Sequence, residues 1–187
     1  MANPNNPTGT YFNQTEFSEF MAKVSNSILV VMDEAYYEYV TVEDFPDSIT
    51  YLPKYKNLLI TRTFSKIYGL AGLRIGYAMG HEELILNLNK AREPFNVNSI
   101  ALEAAWAALD DKDFIWKSVE NNNLGKEYFY NELNQLGLDY FQTEGNFVFI
   151  RIKQDCQAAF EKMMDLGVTI RPMKSFGCDD AIRVTIG

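Results

Sequence analysis

The chain has 187 residues, 47% apolar, 22% charged and 14% aromatic, enough for one domain or one and part of a second and too apolar for a disordered polymer. With 25 acidic against 17 basic residues the net charge is -8, which excludes the broad basic footprint of a nucleic-acid binder and requires any anion to be held by a local cluster of cations. Cys156 and Cys178 are too few for a disulfide scaffold and lack metal-ligand spacing, and no stretch reaches the roughly 20 apolar residues of a membrane span, so a cytoplasmic protein with reduced thiols, no metal and no membrane partner is expected.

Residues 1–9 are turn chemistry, with Pro4 and Pro7, three asparagines and Gly9. A helix is predicted next from Asn13, Glu16 three positions on, and Phe17, Phe20, Met21 and Val24 at helical spacing. Residues 28–32 form a continuous apolar run, the pattern of a strand buried on both faces, which ends at Asp33-Glu34-Ala35-Tyr36. A second strand over 58–62 ends at Thr63-Phe64-Ser65-Lys66, and a third over 75–79 follows a loop with Gly69, Gly72 and Arg74. Helices are predicted over about 82–92, stopped by Pro94, and over about 99–109. Beyond Asp110-Asp111 come an amphipathic stretch over 114–136, strands over 138–141 and 146–152, a helix over 156–166, and strands over 168–171 and 182–186. The order implies an α/β unit over 1–110, mainly parallel in its sheet, and a smaller α+β unit over 111–187.

Binding groups of α/β sheets gather at the carboxyl ends of strands, and three polar clusters fall there: 3–9, 33–36 and 63–74. Lys66 lies just past a strand end among apolar residues. Partial desolvation and the neighbouring cations Arg62 and Arg74 are expected to lower its pKa and make its amine a usable nucleophile. Thr63 and Ser65 supply hydroxyls and Arg74 a planar fork suited to phosphate, so the group describes a lysine beside an anion site. Asp33 ends a strand expected to be buried, where a carboxylate needs a cation or several donors; a protonated heteroaromatic nitrogen fits, and so does a cap on the following segment. Tyr36 can aim a phenol, and Asn6 an amide, toward the same space.

In this order, Asn-Pro-Thr-Gly at 6–9, Asp-Glu-Ala-Tyr at 33–36, Ser-Lys at 65–66 and Gly-Leu-Arg-Ile-Gly at 72–76 resemble the fold-type I pyridoxal-phosphate aminotransferases of class I/II. The segments 2–9, 61–66, 69–74, 94–98, 145–147 and 182–187 are similar to the histidinol-phosphate aminotransferase branch, and the likeness extends over essentially all 187 residues. The resemblance implies part of that fold's large domain with a small α+β C-terminal domain, and pyridoxal 5'-phosphate as cofactor. It implies Lys66 as the residue that bonds the cofactor and later moves the substrate proton, and Asp33 as the partner of the pyridine nitrogen. Asn6 and Tyr36 match the residues on the ring hydroxyl, Thr63, Ser65 and Arg74 part of the phosphate site, and Arg171 and Arg183 the substrate-binding arginines. Two guanidiniums would let one site take both glutamate and a phosphorylated amine.

The implied activity is transamination of imidazole acetol phosphate with glutamate, giving histidinol phosphate and 2-oxoglutarate, in histidine biosynthesis and by a homodimer. An aromatic amino-acid aminotransferase or a related decarboxylase shares Lys66 and Asp33 and stays open, as does a catalytically silent cofactor-binding piece. Members of the family carry a long portion before the Asn-Pro-Asn-Asn-Pro-Thr-Gly motif and a helix after Arg-Val-Thr-Ile-Gly; the expectation is an internal piece whose open apolar sheet edge favours self-association. His81 reads as a helix start, Phe129, Tyr130, Tyr140 and Phe141 as packing, and both cysteines as incidental.

Overall fold

A computed structural model describes residues 1–187. Helix α1 (Gln14–Lys23) begins at the expected capping box: Asn13 Oδ1 accepts from Glu16 N at 3.0 Å and Glu16 Oε2 from Asn13 N at 2.8 Å. Its buried Phe17 and Met21, one turn apart, close over Val30, Met32, Leu58 and Ile60; full burial of Phe17 alone contributes about 2–3 kcal/mol.

The first sheet has the order β1-β2-β3, with β1 (Val30–Asp33) parallel to β2 (Leu58–Thr63) and β3 (Gly76–Gly80) antiparallel to β2. An antiparallel edge strand is common in sheets of this class. The strand expected over 28–32 starts at Val30, with Ile28 and Leu29 exposed, and burial alternates along it: Val30 and Met32 inward, Val31 outward. One face of β1 is covered rather than two.

Helices α2 (Glu82–Ala91) and α3 (Ser99–Asp110) follow, capped by His81 and Asn98, and α4 (Lys112–Gln135) starts from the Asp111 cap. His81 acts as the helix start read from the sequence. The second sheet is wholly antiparallel in the order β4-β5-β7-β6: β4 (Asp139–Tyr140), β5 (Phe147–Arg151), β6 (Arg171–Pro172) and β7 (Ala181–Thr185), with α5 (Cys156–Asp165) on its face. The strand expected over 168–171 is displaced to Arg171–Pro172. After α5, Val168 N turns back to Met163 O at 2.9 Å, so these residues finish the helix before they can pair.

Val148 and Ile150 pack with Leu133, Ile170, Ile182 and Ile186 beneath the second sheet. Phe147 instead joins Tyr36, Tyr39, Phe64, Ile67, Tyr68 and Ile75 with Ala101 and Ala105 of α3, so one buried cluster draws on both sheets. The N-terminal loop makes a second tie. Ala2 pairs in parallel with Asp33, the buried Asn3 side chain bonds both N and O of Phe12, and Gly9 O accepts from Glu144 N at 2.9 Å. Gly9 has φ +75° and a Cβ there would overlap the Thr143 hydroxyl, so the loop docks this closely only with glycine.

Candidate functional site

A cleft of about 610 Å³ opens where β1 and β2 end and β3 begins. Parallel register sets Asp33 beside Thr61, and antiparallel register sets Gly76 beside Thr63, so three segments converge on one rim. A Cβ on Gly76 would lie 2.7 Å from Arg62 O, which explains a glycine where β3 enters the sheet. Asn6, Asp33, Tyr36, Thr63, Ser65, Lys66 and Arg74, separated by up to 68 positions in sequence, all line this cleft.

The individual geometries follow from local turns. Thr63 Oγ1 accepts from Ser65 N at 3.0 Å, folding the strand end back on itself. Arg74 Nη1 donates to Ala71 O at 2.8 Å and to Ser65 Oγ at 3.4 Å, from a backbone at φ 52°, ψ 49°, a left-handed conformation costing a non-glycine residue about 1–3 kcal/mol. Tyr36 is buried, edge-on to Phe147 at 5.1 Å, and the Lys66 ammonium sits 5.2 Å from its ring centre.

Arg183 on β7 reaches the rim from the other sheet: its Nη1 donates to Asn6 Oδ1 at 2.6 Å, its guanidinium lies 4.9 Å from the Phe147 ring centre, and its Nε is buried without an acceptor. Arg171 stands opposite Arg183 in the β6–β7 register but is exposed. It lines a separate hollow of about 560 Å³ with Phe160, Thr169 and Arg183 itself; neither arginine lines the first cleft, which Arg183 touches only through Asn6.

Three expectations change. Asp33 is exposed, not buried, and its Oδ1 accepts from Ala35 N at 3.1 Å, the capping contact. Lys66 is also exposed rather than desolvated. Arg62 is not a free cation beside it, because it pairs with Glu34, a carboxylate that is 0% exposed. Arg62 Nε donates to Glu34 Oε2 at 2.8 Å, Nη2 lies 2.8 Å from the same oxygen as an ionic contact without hydrogen-bond alignment, and the Ser48 hydroxyl donates to Oε1.

Burial pushes the Glu34 carboxyl up from its ordinary value, against the downward pull of Ser48 and Arg62. At Arg62 burial pulls down, but the attraction and hydrogen bond of Glu34 outweigh it and the net direction is up. The two directions oppose each other, one disfavouring the ion pair and the other favouring it. The contacts decide: Arg62 Nε and the Ser48 hydroxyl each donate to one carboxylate oxygen, with Nη2 in ionic contact, which is how an ionised carboxylate is held.

This network was missed in the sequence, although a signal was there. Carrying the inward parity of Val30 and Met32 one step further places Glu34 inward and Asp33 outward.

The family model for aminotransferase class I and II matches residues 1–187. The histidinol-phosphate aminotransferase of Moorella thermoacetica is 49% identical over 188 residues, covering 100% of this chain and 49% of that protein. That of Bacillus subtilis is 45% identical, covering 100% of this chain and 52% of its own. The crystal structure of histidinol-phosphate aminotransferase from Sinorhizobium meliloti, in complex with pyridoxal-5'-phosphate, superposes with a TM-score of 0.89 at 30% identity, covering 100% of this chain and 51% of that one. The chain thus spans about half the length of the curated relatives it matches. The match extends without a gap in coverage from the N-terminal loop that borders the cleft to the strand that carries Arg183, and on that ground the chain belongs to the class I and II aminotransferases, with their fold-type I architecture.

Proposed function

We propose that this chain forms the pyridoxal-phosphate site of an enzyme that transaminates histidinol phosphate and imidazole acetol phosphate with 2-oxoglutarate and glutamate, in histidine biosynthesis. The observation that carries the reading is the convergence of Asn6, Asp33, Tyr36, Thr63, Ser65, Lys66 and Arg74 on one cleft. The donor set fits the cofactor: a carboxylate, an amide and a phenol for a protonated heteroaromatic ring, two hydroxyls and a guanidinium for a phosphate, and one exposed amine. When bound, pyridoxal phosphate supplies an electron sink for the pair left on a substrate carbon that loses its proton.

Asp33, already oriented by Ala35 N, offers its remaining lone pairs to the ring nitrogen. Arg74, steadied by Ala71 O, and Ser65 offer donors to the phosphate. Lys66, exposed in the cleft, would hold the cofactor through its amine, and the same amine is placed to take the proton from the substrate carbon and return it. Arg183 is held by Asn6 through Nη1 and keeps a buried, unpartnered Nε, a donor free for a substrate carboxylate, and Arg171 one strand away extends the cationic surface toward a second anionic group.

We further read 1–110 and 111–187 as two units, supported by the separate sheets and their own clusters of buried residues. Assembly as a homodimer is supported by exposed apolar side chains such as Phe95, Trp106 and Trp116, and a cytoplasmic setting by the free thiols of Cys156 and Cys178. No helix is long and apolar enough to cross a membrane.

Spectroscopy tests the reading. The purified chain mixed with pyridoxal phosphate is expected to develop a visible absorption band, and borohydride followed by peptide mass spectrometry should find the cofactor fixed on Lys66. Lys66→Ala should lose both signals with circular dichroism unchanged. A cofactor fixed elsewhere, or no band in the unsubstituted chain, overturns the assignment.

A further inference from the structure

Three cations line the cleft, Arg62, Lys66 and Arg74, in a chain whose net charge is -8. Arg62 differs from the other two in that a buried carboxylate consumes it. One edge of its guanidinium faces Glu34 Oε2 through Nε and Nη2, both at 2.8 Å, and one face lies 3.5 Å from the Tyr37 ring centre. Glu34 is itself locked in place: Ser48 donates to its other oxygen, and its backbone N donates to Thr61 O at 2.9 Å, the bond that joins the ends of β1 and β2 between Asp33 and Thr63.

We propose that Glu34 is a positioning residue of the cofactor site, which withdraws Arg62 from the cleft it lines and so leaves the phosphate to Arg74 and Ser65 and the cofactor's covalent anchor to Lys66, while clamping the strand ends that carry Asp33 and Thr63. This inference rests on the cofactor reading above. A free guanidinium on this wall would compete for the phosphate and add an uncompensated positive charge beside Lys66. A bare aliphatic side chain would leave the wall uncharged but the strand ends unclamped. A carboxylate aimed inward from the strand end, paired with an arginine one register position from Asp33, avoids both outcomes.

The test is a pH titration of the visible band of the cofactor-loaded protein, with Tm measured alongside. Glu34→Gln leaves Arg62 uncompensated, disfavours a protonated group nearby, and is expected to move the midpoint of the band down by roughly half a pH unit or more. Arg62→Gln leaves Glu34 uncompensated and should move it up. The neutral double variant, which retains amide hydrogen bonding and keeps the comparison open if one single variant fails to fold, should return the midpoint to the original position. Folded variants that lose Tm but leave the midpoint unmoved overturn the inference and leave the cofactor reading standing. An unsubstituted chain with no band overturns the reading and the inference together.

Discussion

Asp33 and Glu34 are neighbours with the same chemistry and opposite surroundings, because successive side chains of a strand face opposite ways. The outward carboxylate meets the cleft; the inward one needs Arg62 and Ser48 to be tolerated at all. Identity of the residue types was legible in the sequence, but which of the two carboxylates was buried depended on only one face of β1 being covered, where the apolar run had implied both. Burial acts on the tyrosines as well. Desolvation, with help from the nearby Glu38 charge, pushes Tyr39 from 10.0 up to about 12, and burial also raises Tyr68 and Tyr77. A raised value means the folded state keeps its proton longer. The contribution of Tyr39 is therefore whole below pH 10 and lost as pH rises toward 12, about 2–3 kcal/mol in all. Urea unfolding at pH 8, 10 and 11.5 should show stability falling only across the upper interval, together with a late tyrosinate absorbance step that disappears in denaturant.

At the scale of elements, patterns that repeat were readable and pairings that depend on neighbours were not. The capping box of α1, the long α4 and the central β5 all fall where residue spacing places them. The two-residue strands β4 and β6 owe their limits to what β5 and β7 offer as partners, which no local pattern contains. Helix α4 carries a further cost. Its inner face includes Asn122, whose amide donates to Gly145 O at 3.1 Å, and Lys126, only 7% exposed. Burial pushes the Lys126 amine down from 10.5, with Glu144 pulling the other way while it accepts from Thr41 N at 2.8 Å. A depressed value means that charging Lys126 costs the fold more as pH falls below 10.5, so at neutral pH the ammonium is a net burden. Lys126→Met is expected to stabilise the protein by about 1 kcal/mol, a rise of roughly 2–4 °C in Tm. A lower Tm in thermal denaturation would show that attraction to Glu144 outweighs burial.

The whole molecule leaves much apolar surface in water. Phe95 is 100% exposed, Trp106 74% and Trp116 62%, and the outward face of β1 adds Val31. Such surface favours association, so light scattering of the purified chain is expected to give a mass well above 21.4 kDa, and a monodisperse monomer would contradict this. Charge is arranged as sparingly as composition demanded: the cations at the cleft are a handful in an acidic chain, gathered by strand ends rather than by sequence proximity. Periodicity, capping residues and ordered motifs by themselves determined the elements, their order and the residue types offered to a cofactor, since helix and strand spacing and turn chemistry act over a few residues. Tertiary structure decided that only one face of β1 is covered, so that Asp33 faces solvent while Glu34 is buried, that Arg62 is spent on Glu34, and that Arg183 meets Asn6 while Arg171 does not. Arg62 and Glu34 are 28 positions apart and Arg183 and Asn6 177, and burial and electrostatic pairing are properties of such contacts rather than of local sequence.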